Sequence, residues 1–547
     1  MSDVLSCPAV CWCSQNLPQG GKSTILMDRI FRAIAGFMRN KILHPLFFII
    51  VLLLTIVACN APWMAPRSQS VMTAEDLRQT VEAMPTFTPA GTQTLAPSPS
   101  QNQPDTFTPP TPYPEMIGSE IEYFTQSGDT LAGLAGRFGV EPGEIAAQEP
   151  LPMEGYLIHD MTLTIPNHVG EVSSSRWLLP DSELINSSTG FDVEAFVDDA
   201  GGYLIDHHEI VEDEDLTGVS IIQRVASEFS INPRLLLALL EYRGGWVFSH
   251  RVGAVDERYP IGFRIPGREG LYEELKITAT QLNRGYYGWR EGEGTTLQFE
   301  NGVSLRLDPR LNAGTVALMR LFSVLVNPAG WEDDLYAPNG FPALHRNMVG
   351  NAWARDGDLG PLIPEGLTQP DLELPFFPGE AWSLTAGPHR VWNAGTPLGA
   401  LDISPITAEE PCEVSYLWAT ASAPGIVVRA KDNVVALDLD GDGTEGSGWV
   451  LVYFHLADEG LVSDGSRVTT DQPLGHPSCE GGIASGTHVH IARKYNGEWL
   501  QADGPVPFVL SDWRVVAGER IYKGTFVKGD QVVTADPSGR SGSTIVR

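Results

Sequence analysis

His488 and His490 stand one valine apart in THVHIARKYNGEWL, a run that reads as a strand. Positions i and i+2 of a strand point to one face roughly 6–7 Å apart, so the two imidazoles look the same way. The chain has only 12 histidines in 547 residues, so composition alone does not explain the pair. Upstream, GPHRVWNAGTPLGALDIS holds His389 and Asp402, and WVLVYFHL carries a strand into His455. Catalytic zinc takes three protein ligands and keeps one position open, and two histidines with one carboxylate is an established set. Five such side chains exceed what ligation requires and leave two for acid–base work.

The elements around these residues are short β-rich runs, PGIVVRA, NVVALDLD, WVLVYFHL and THVHIARKYNGEWL, separated by Gly and Asp turns. From about Gly379 to Trp513 the chain resembles a lysostaphin-type (LytM-like) zinc metallopeptidase domain, a peptidoglycan-hydrolase family with a small antiparallel β core crossed by a groove. The resemblance rests on a histidine and an aspartate in order, the Tyr-Phe-His-Leu run, and the closing His-x-His. It implies that His389, Asp402 and His490 bind one zinc ion and that His455 and His488 assist catalysis. The family usually has its first histidine four residues before the aspartate, where this chain has Leu398; His389 lies thirteen residues upstream, so an insertion is expected to loop out. His476 in GHPSCEGG is the reserve ligand, with a turn or groove wall as its other role. The opposing reading is a wall-bound hydrolase activator or scaffold that keeps the fold and has lost the metal, although such relatives lose these residues. A second ion, calcium, is suggested by Asp438, Asp440, Asp442 and Gly443 in LDLDGDGTEGSGW, but Trp449 occupies the position of the required glutamate, and a hairpin turn accounts for the string.

Between about Tyr203 and Asn351 the patterns are helical. Ile221, Ile222, Val225, Ala226 and Phe229 recur at helical spacing, and Asn232-Pro233 supplies a cap and a first-turn proline to RLLLALLEYRGGW. LYEELKITATQLNRGYYGW and NAGTVALMRLFSVLV read as further helices. The region loosely resembles the lysozyme-like fold of lytic transglycosylases, with Glu241 where that family has its general acid. That makes glycan cleavage through Glu241 a third reading, although the family's serine after the glutamate is absent. Ahead of it, residues 120–168 resemble a LysM module through SGDTL, RFGV and LTIP, which implies two strands flanking two helices and binding to N-acetylglucosamine polymers such as peptidoglycan.

The N-terminus addresses the compartment. Basic residues precede the apolar run Leu46–Ala58, which is short for a membrane span and suits a signal peptide beginning at Met27 or Met38. Its end, Ile56-Val57-Ala58-Cys59, resembles the lipobox of bacterial lipoproteins and implies a lipid on Cys59. A Pro/Thr/Ser-rich tether follows to residue 119. Apart from Cys59, only Cys412 and Cys479 remain in the exported chain, and an even pair in an oxidising compartment favours a disulfide. A net charge of −32 argues against a nucleic-acid partner.

The expectation is thus a multidomain α+β protein: signal peptide 1–58, lipidated tether 59–119, LysM module 120–168, linker 169–202, helical domain 203–351, linker 352–378, antiparallel β-rich metallopeptidase domain 379–515 and β tail 516–547. Its partners are peptidoglycan and, through Cys59, the membrane of a bacterial cell envelope.

Overall fold

The computed structural model describes residues 110–187, 190–407 and 410–547. Cys59, the signal peptide and most of the tether lie outside these residues. No helix among the described residues is long and apolar enough to cross a membrane.

At the C-terminal end, short β-formers bounded by turns assemble one antiparallel sheet. Its order from one edge is Arg467–Val468, Gly425–Lys431, Val434–Asp438, Trp449–Phe454, Val489–Tyr495, Leu398–Pro405, Ala381–Arg390 and Thr544–Val546, with Glu498–Trp499 paired beside Val489–Tyr495. Both faces are covered. Leu401, Ile403, Val435, Leu451, Tyr453 and Ile491 point into a core shared with the C-terminal strands. Their alternates Ala400, Ala436, Val450, Val452 and Ala492 point into a core shared with the helices. The tail read as a separate β element is therefore part of this domain. Gly524–Lys528 and Gln531–Thr534 extend a four-stranded sheet with Val509–Leu510 and Trp513–Ala517, and Thr544–Val546 closes the main sheet beside Ala381–Arg390.

The helical region forms where its capping chemistry requires. The Thr217 hydroxyl accepts from the backbone N–H of Ser220 to start helix Gly218–Phe229. The Asn232 side chain and Pro233 start Pro233–Gly244, which stops at Gly245 in the left-handed region. Helices Leu271–Arg290 and Ala313–Leu325 also appear where the periodicity places them. The region is longer than 203–351: helices Asp181–Leu184 and Val193–Ala200 occupy the first expected linker and Ala352–Leu359 the second.

Residues 120–168 form paired strands Glu120–Phe124 and Thr162–Pro166 around helix Leu131–Phe138. In place of a second helix there is one 3-10 turn, Pro142–Glu144. The turn ends at Ile145 in extended backbone, and the chain next pairs Ala146 with Thr164 instead of continuing a helix. Nor is the module a free bead. Gly133 and Gly136 approach the backbone of Arg290 and Gly292 so closely that a Cβ would sit 2.4 and 2.6 Å from carbonyl oxygens there.

Candidate active site

Sheet register brings the candidate residues together. Phe454 lies opposite His490, His490 opposite Asp402, and Asp402 opposite Ala386, so one row crosses four strands on the helix-facing side. His488, two residues before His490, shares that face. His389 pairs with Ala400, while Ala386 pairs with Asp402. Three residues thus match two, a β-bulge at Gly387-Pro388 that rotates His389 onto the face it would otherwise miss. No insertion loops out; residues 391–397 turn between two paired strands. The bulge needs glycine, since a Cβ on Gly387 would lie 2.6 Å from the backbone nitrogen of Gly524. His455 follows the Trp449–Phe454 strand with φ of 63°.

Each histidine spends one ring nitrogen on a backbone carbonyl. His389 Nδ1 bonds Gly387 O at 2.9 Å, His490 Nε2 bonds Val391 O at 2.8 Å, His455 Nδ1 bonds Glu480 O at 2.8 Å and His488 Nδ1 bonds Gly486 O at 2.7 Å. A carbonyl can only accept, so these nitrogens carry the hydrogens and the opposite ones present lone pairs to the centre.

Three such atoms form a triangle. His389 Nε2 is 3.1 Å from His490 Nδ1 and 3.2 Å from Asp402 Oδ1, and His490 Nδ1 is 3.3 Å from the same oxygen. Donors on a tetrahedral zinc, with bonds of about 2.0–2.1 Å, stand roughly 3.3 Å apart. Asp402 Oδ1 is buried without a hydrogen bond. Lone pairs converging at this range repel unless a cation or a proton lies between them. In the metal-free chain burial disfavours charge, but wherever a proton sits on the facing His389 or His490 nitrogen that imidazolium holds the Asp402 carboxyl well below its usual range, and Asp402 raises the pKa of His389 against burial. The donor set fits zinc.

His455 and His488 sit beside this triangle, rings 4.6 Å apart, with His488 Nε2 at 3.5 Å from Asp402 Oδ1. Burial, then the neighbouring His488, pushes His455 down to about 4. The site opens into a cleft of about 1350 Å³ whose far wall is helical, with Glu228, Tyr272 and Lys276 facing it. Two further contributors carried no sequence signal: Tyr522 stacks on His389 with ring centres 4.8 Å apart, and Lys523 lines the cleft.

Other candidates go elsewhere. His476 bonds Leu417 O through Nδ1 and packs on Trp418, outside the triangle. Through one oxygen the Glu241 carboxylate accepts the backbone N–H groups of Val247 and Phe248 at 2.8 and 3.1 Å, which ties down the turn that follows its helix. Asp438 accepts three backbone N–H bonds from Asp440, Gly441 and Gly443, as a hairpin turn requires. Asp440, crowded by Asp438 and Asp442, is pushed up to about 7, chiefly by burial. Cys412 and Cys479 are disulfide-bonded.

Residues 177–362 match the family model described as LasA, N-terminal domain, where the sequence suggested a lysozyme-like fold. Protease LasA of Pseudomonas aeruginosa is 28% identical over 338 residues, 58% of this chain and 73% of that protein. Beta-lytic metalloendopeptidase of Achromobacter lyticus is 26% identical over 198 residues, 33% of this chain and 49% of that protein. Among solved structures, the M23 metalloprotease pseudoalterin aligns with a TM-score of 0.26 at 23% identity, over 30% of this chain and 96% of that one. The sequence similarities and the converged donor set make this chain a zinc metalloendopeptidase.

Proposed function

We propose that the chain hydrolyses peptide bonds of peptidoglycan at the bacterial cell envelope, with His389, Asp402 and His490 as the zinc ligands. The observation that carries this reading is the triangle of three lone-pair donors in an open cleft, beside two histidines that also present lone pairs. A zinc ion held there supplies Lewis acidity, which polarises the scissile carbonyl and makes water a nucleophile near neutral pH. His455 and His488 each offer an unprotonated Nε2 that can take the proton lost by water. His488, with its Nε2 3.5 Å from Asp402 Oδ1 at the edge of the triangle, is the one placed to take it. Its Nε2–H then donates to the carbonyl oxygen as that oxygen gains charge, or passes the proton to the departing amide nitrogen. His455, kept neutral by burial, accepts a hydrogen bond from the attacking water and holds it in line.

In this reading Cys59 carries a lipid and the tether keeps the active site near the wall, while residues 120–168 add a contact to glycan; both would raise local concentration. Turbidity of purified peptidoglycan should fall with the zinc-loaded chain and hold steady after chelation. Clearing that survives chelation would sink the zinc reading. Cys59→Ala should move the chain from the membrane to the soluble fraction.

A further inference from the structure

We propose that the segment Ser478–Cys479–Glu480, clamped by the disulfide to Cys412, is the positioning element of His455, with Ser478 and Glu480 as its positioning residues. The inference rests on the reading of His455 as a group that handles the proton of water.

His455 lies in the left-handed region with φ of 63°. A residue with a Cβ is strained there and stays only where its surroundings hold it. The holding groups are specific. The His455 carbonyl accepts from the Ser478 backbone N–H at 2.7 Å and from the Ser478 hydroxyl at 3.0 Å. The Glu480 carbonyl accepts from His455 Nδ1 at 2.8 Å, which fixes the tautomer and aims Nε2 at the cleft. Two residues flanking Cys479 therefore set both the backbone turn and the ring of His455.

The segment is held in turn. Cys479 is bonded to Cys412, 67 residues away in sequence. The Ser478 hydroxyl also accepts the Glu480 backbone N–H at 3.0 Å. The Glu480 carboxylate accepts from Asn433 Nδ2 at 2.9 Å and from the Asp458 backbone N–H at 3.3 Å. The Ser478 carbonyl accepts the His488 backbone N–H at 3.3 Å, so the same segment touches both proton-handling histidines. Immediately afterward the chain becomes Gly481-Gly482-Ile483, with Ile483 fully exposed at the cleft. The covalent clamp at Cys479 thus sits between the two residues that orient His455 and fixes both where the chain enters the glycine stretch at the cleft. Displacing a reacting group by about 1 Å can cost on the order of a hundredfold in rate.

None of these groups belongs to the triangle of lone pairs, and that separates positioning from metal binding. The test uses the full chain with Ser478→Ala and, separately, paired Cys412→Ala and Cys479→Ala. Three quantities are read: kinetics on soluble cross-linked muropeptide dimers, zinc content, and the tautomer of His455 from nitrogen-15 spectra of histidine-labelled protein. The proposal predicts kcat lowered roughly tenfold or more, KM within about twofold, zinc retained, and the Nδ1–H signature of His455 replaced by a mixture of tautomers. An unchanged kcat and tautomer, or loss of zinc together with activity, would overturn it. If the cysteine variants do not fold, reducing the disulfide in the folded wild type should disturb the tautomer, and reoxidation should restore it; an undisturbed tautomer overturns the proposal. The tautomer is read without catalysis, so failure of the muropeptides as substrates would count against the peptidoglycan reading and not against this one.

Discussion

At the scale of single residues, the site as proposed divides into atoms that would face the metal and atoms that would face the substrate. His389→Ala, Asp402→Ala and His490→Ala should each lose zinc and activity together, measured by metal analysis beside cleavage. His455→Ala and His488→Ala should keep zinc and lose roughly 10²–10⁴ in rate. Zinc retained in His490→Ala would contradict the assignment. His455 also has a stability signature in the metal-free chain. Its folded pKa of about 4 lies below the ordinary value near 6.5. Between those values the unfolded chain binds the extra proton, so this contribution is intact above pH ~6.5 and shrinks by up to about 3 kcal/mol as pH falls through 4. Urea unfolding from pH 7 to 4 should show a shallower decline in His455→Gln than in the wild type, and equal slopes would refute the buried neutral ring. That His488 and His490 share a face was legible in the sequence, because period-two spacing fixes it. For Glu241 the sequence left two roles open, because a carboxylate at the end of a buried helix can serve as an acid or hold the following turn, and the Val247 and Phe248 amides bonded to one of its oxygens are a tertiary feature that no local pattern reports.

At the scale of elements, the Ala381–Arg390 strand shows why spacing to the aspartate was a poor guide. Whether His389 faces Asp402 depends on one extra residue at Gly387-Pro388, and that bulge is accommodated by Lys523 and Gly524, far along the chain. No local pattern reports such a contact. Gly387→Ala should force the two backbones apart, at a cost of about 1–3 kcal/mol, and weaken zinc binding with it. Thermal unfolding and zinc titration of the same variant check both, and unchanged zinc affinity would separate the bulge from the site. The contributions of Tyr522, Ser478 and Glu480 were hidden for the same reason: each acts on a histidine that only tertiary structure brings near. The helices with strong periodicity were legible, whereas Asp181–Leu184, with four residues, is too short to show any.

At the scale of the whole molecule, the helical region is a structural partner of the β-rich domain's sheet and one wall of its cleft, where the sequence suggested a separate domain. Trp499 and Ala492 share a core with the helices, and the Tyr287 hydroxyl accepts the backbone N–H of Trp499 at 3.0 Å. Glu498 is buried between Tyr286, at 3.0 Å, and Arg290, at 3.5 Å. Arg290→Met leaves that carboxylate without its cation and should destabilise the chain by roughly 3–5 kcal/mol, read as a lower denaturation midpoint. A midpoint within error of the wild type would mean the two regions are only loosely joined. The central claim concerns the bond that is cut, and mass spectrometry of the products released from purified peptidoglycan addresses it most directly. The zinc-loaded chain should create new peptide amino termini that His490→Ala does not, whereas intact peptides with both proteins, or cleaved glycan ends, would contradict the account.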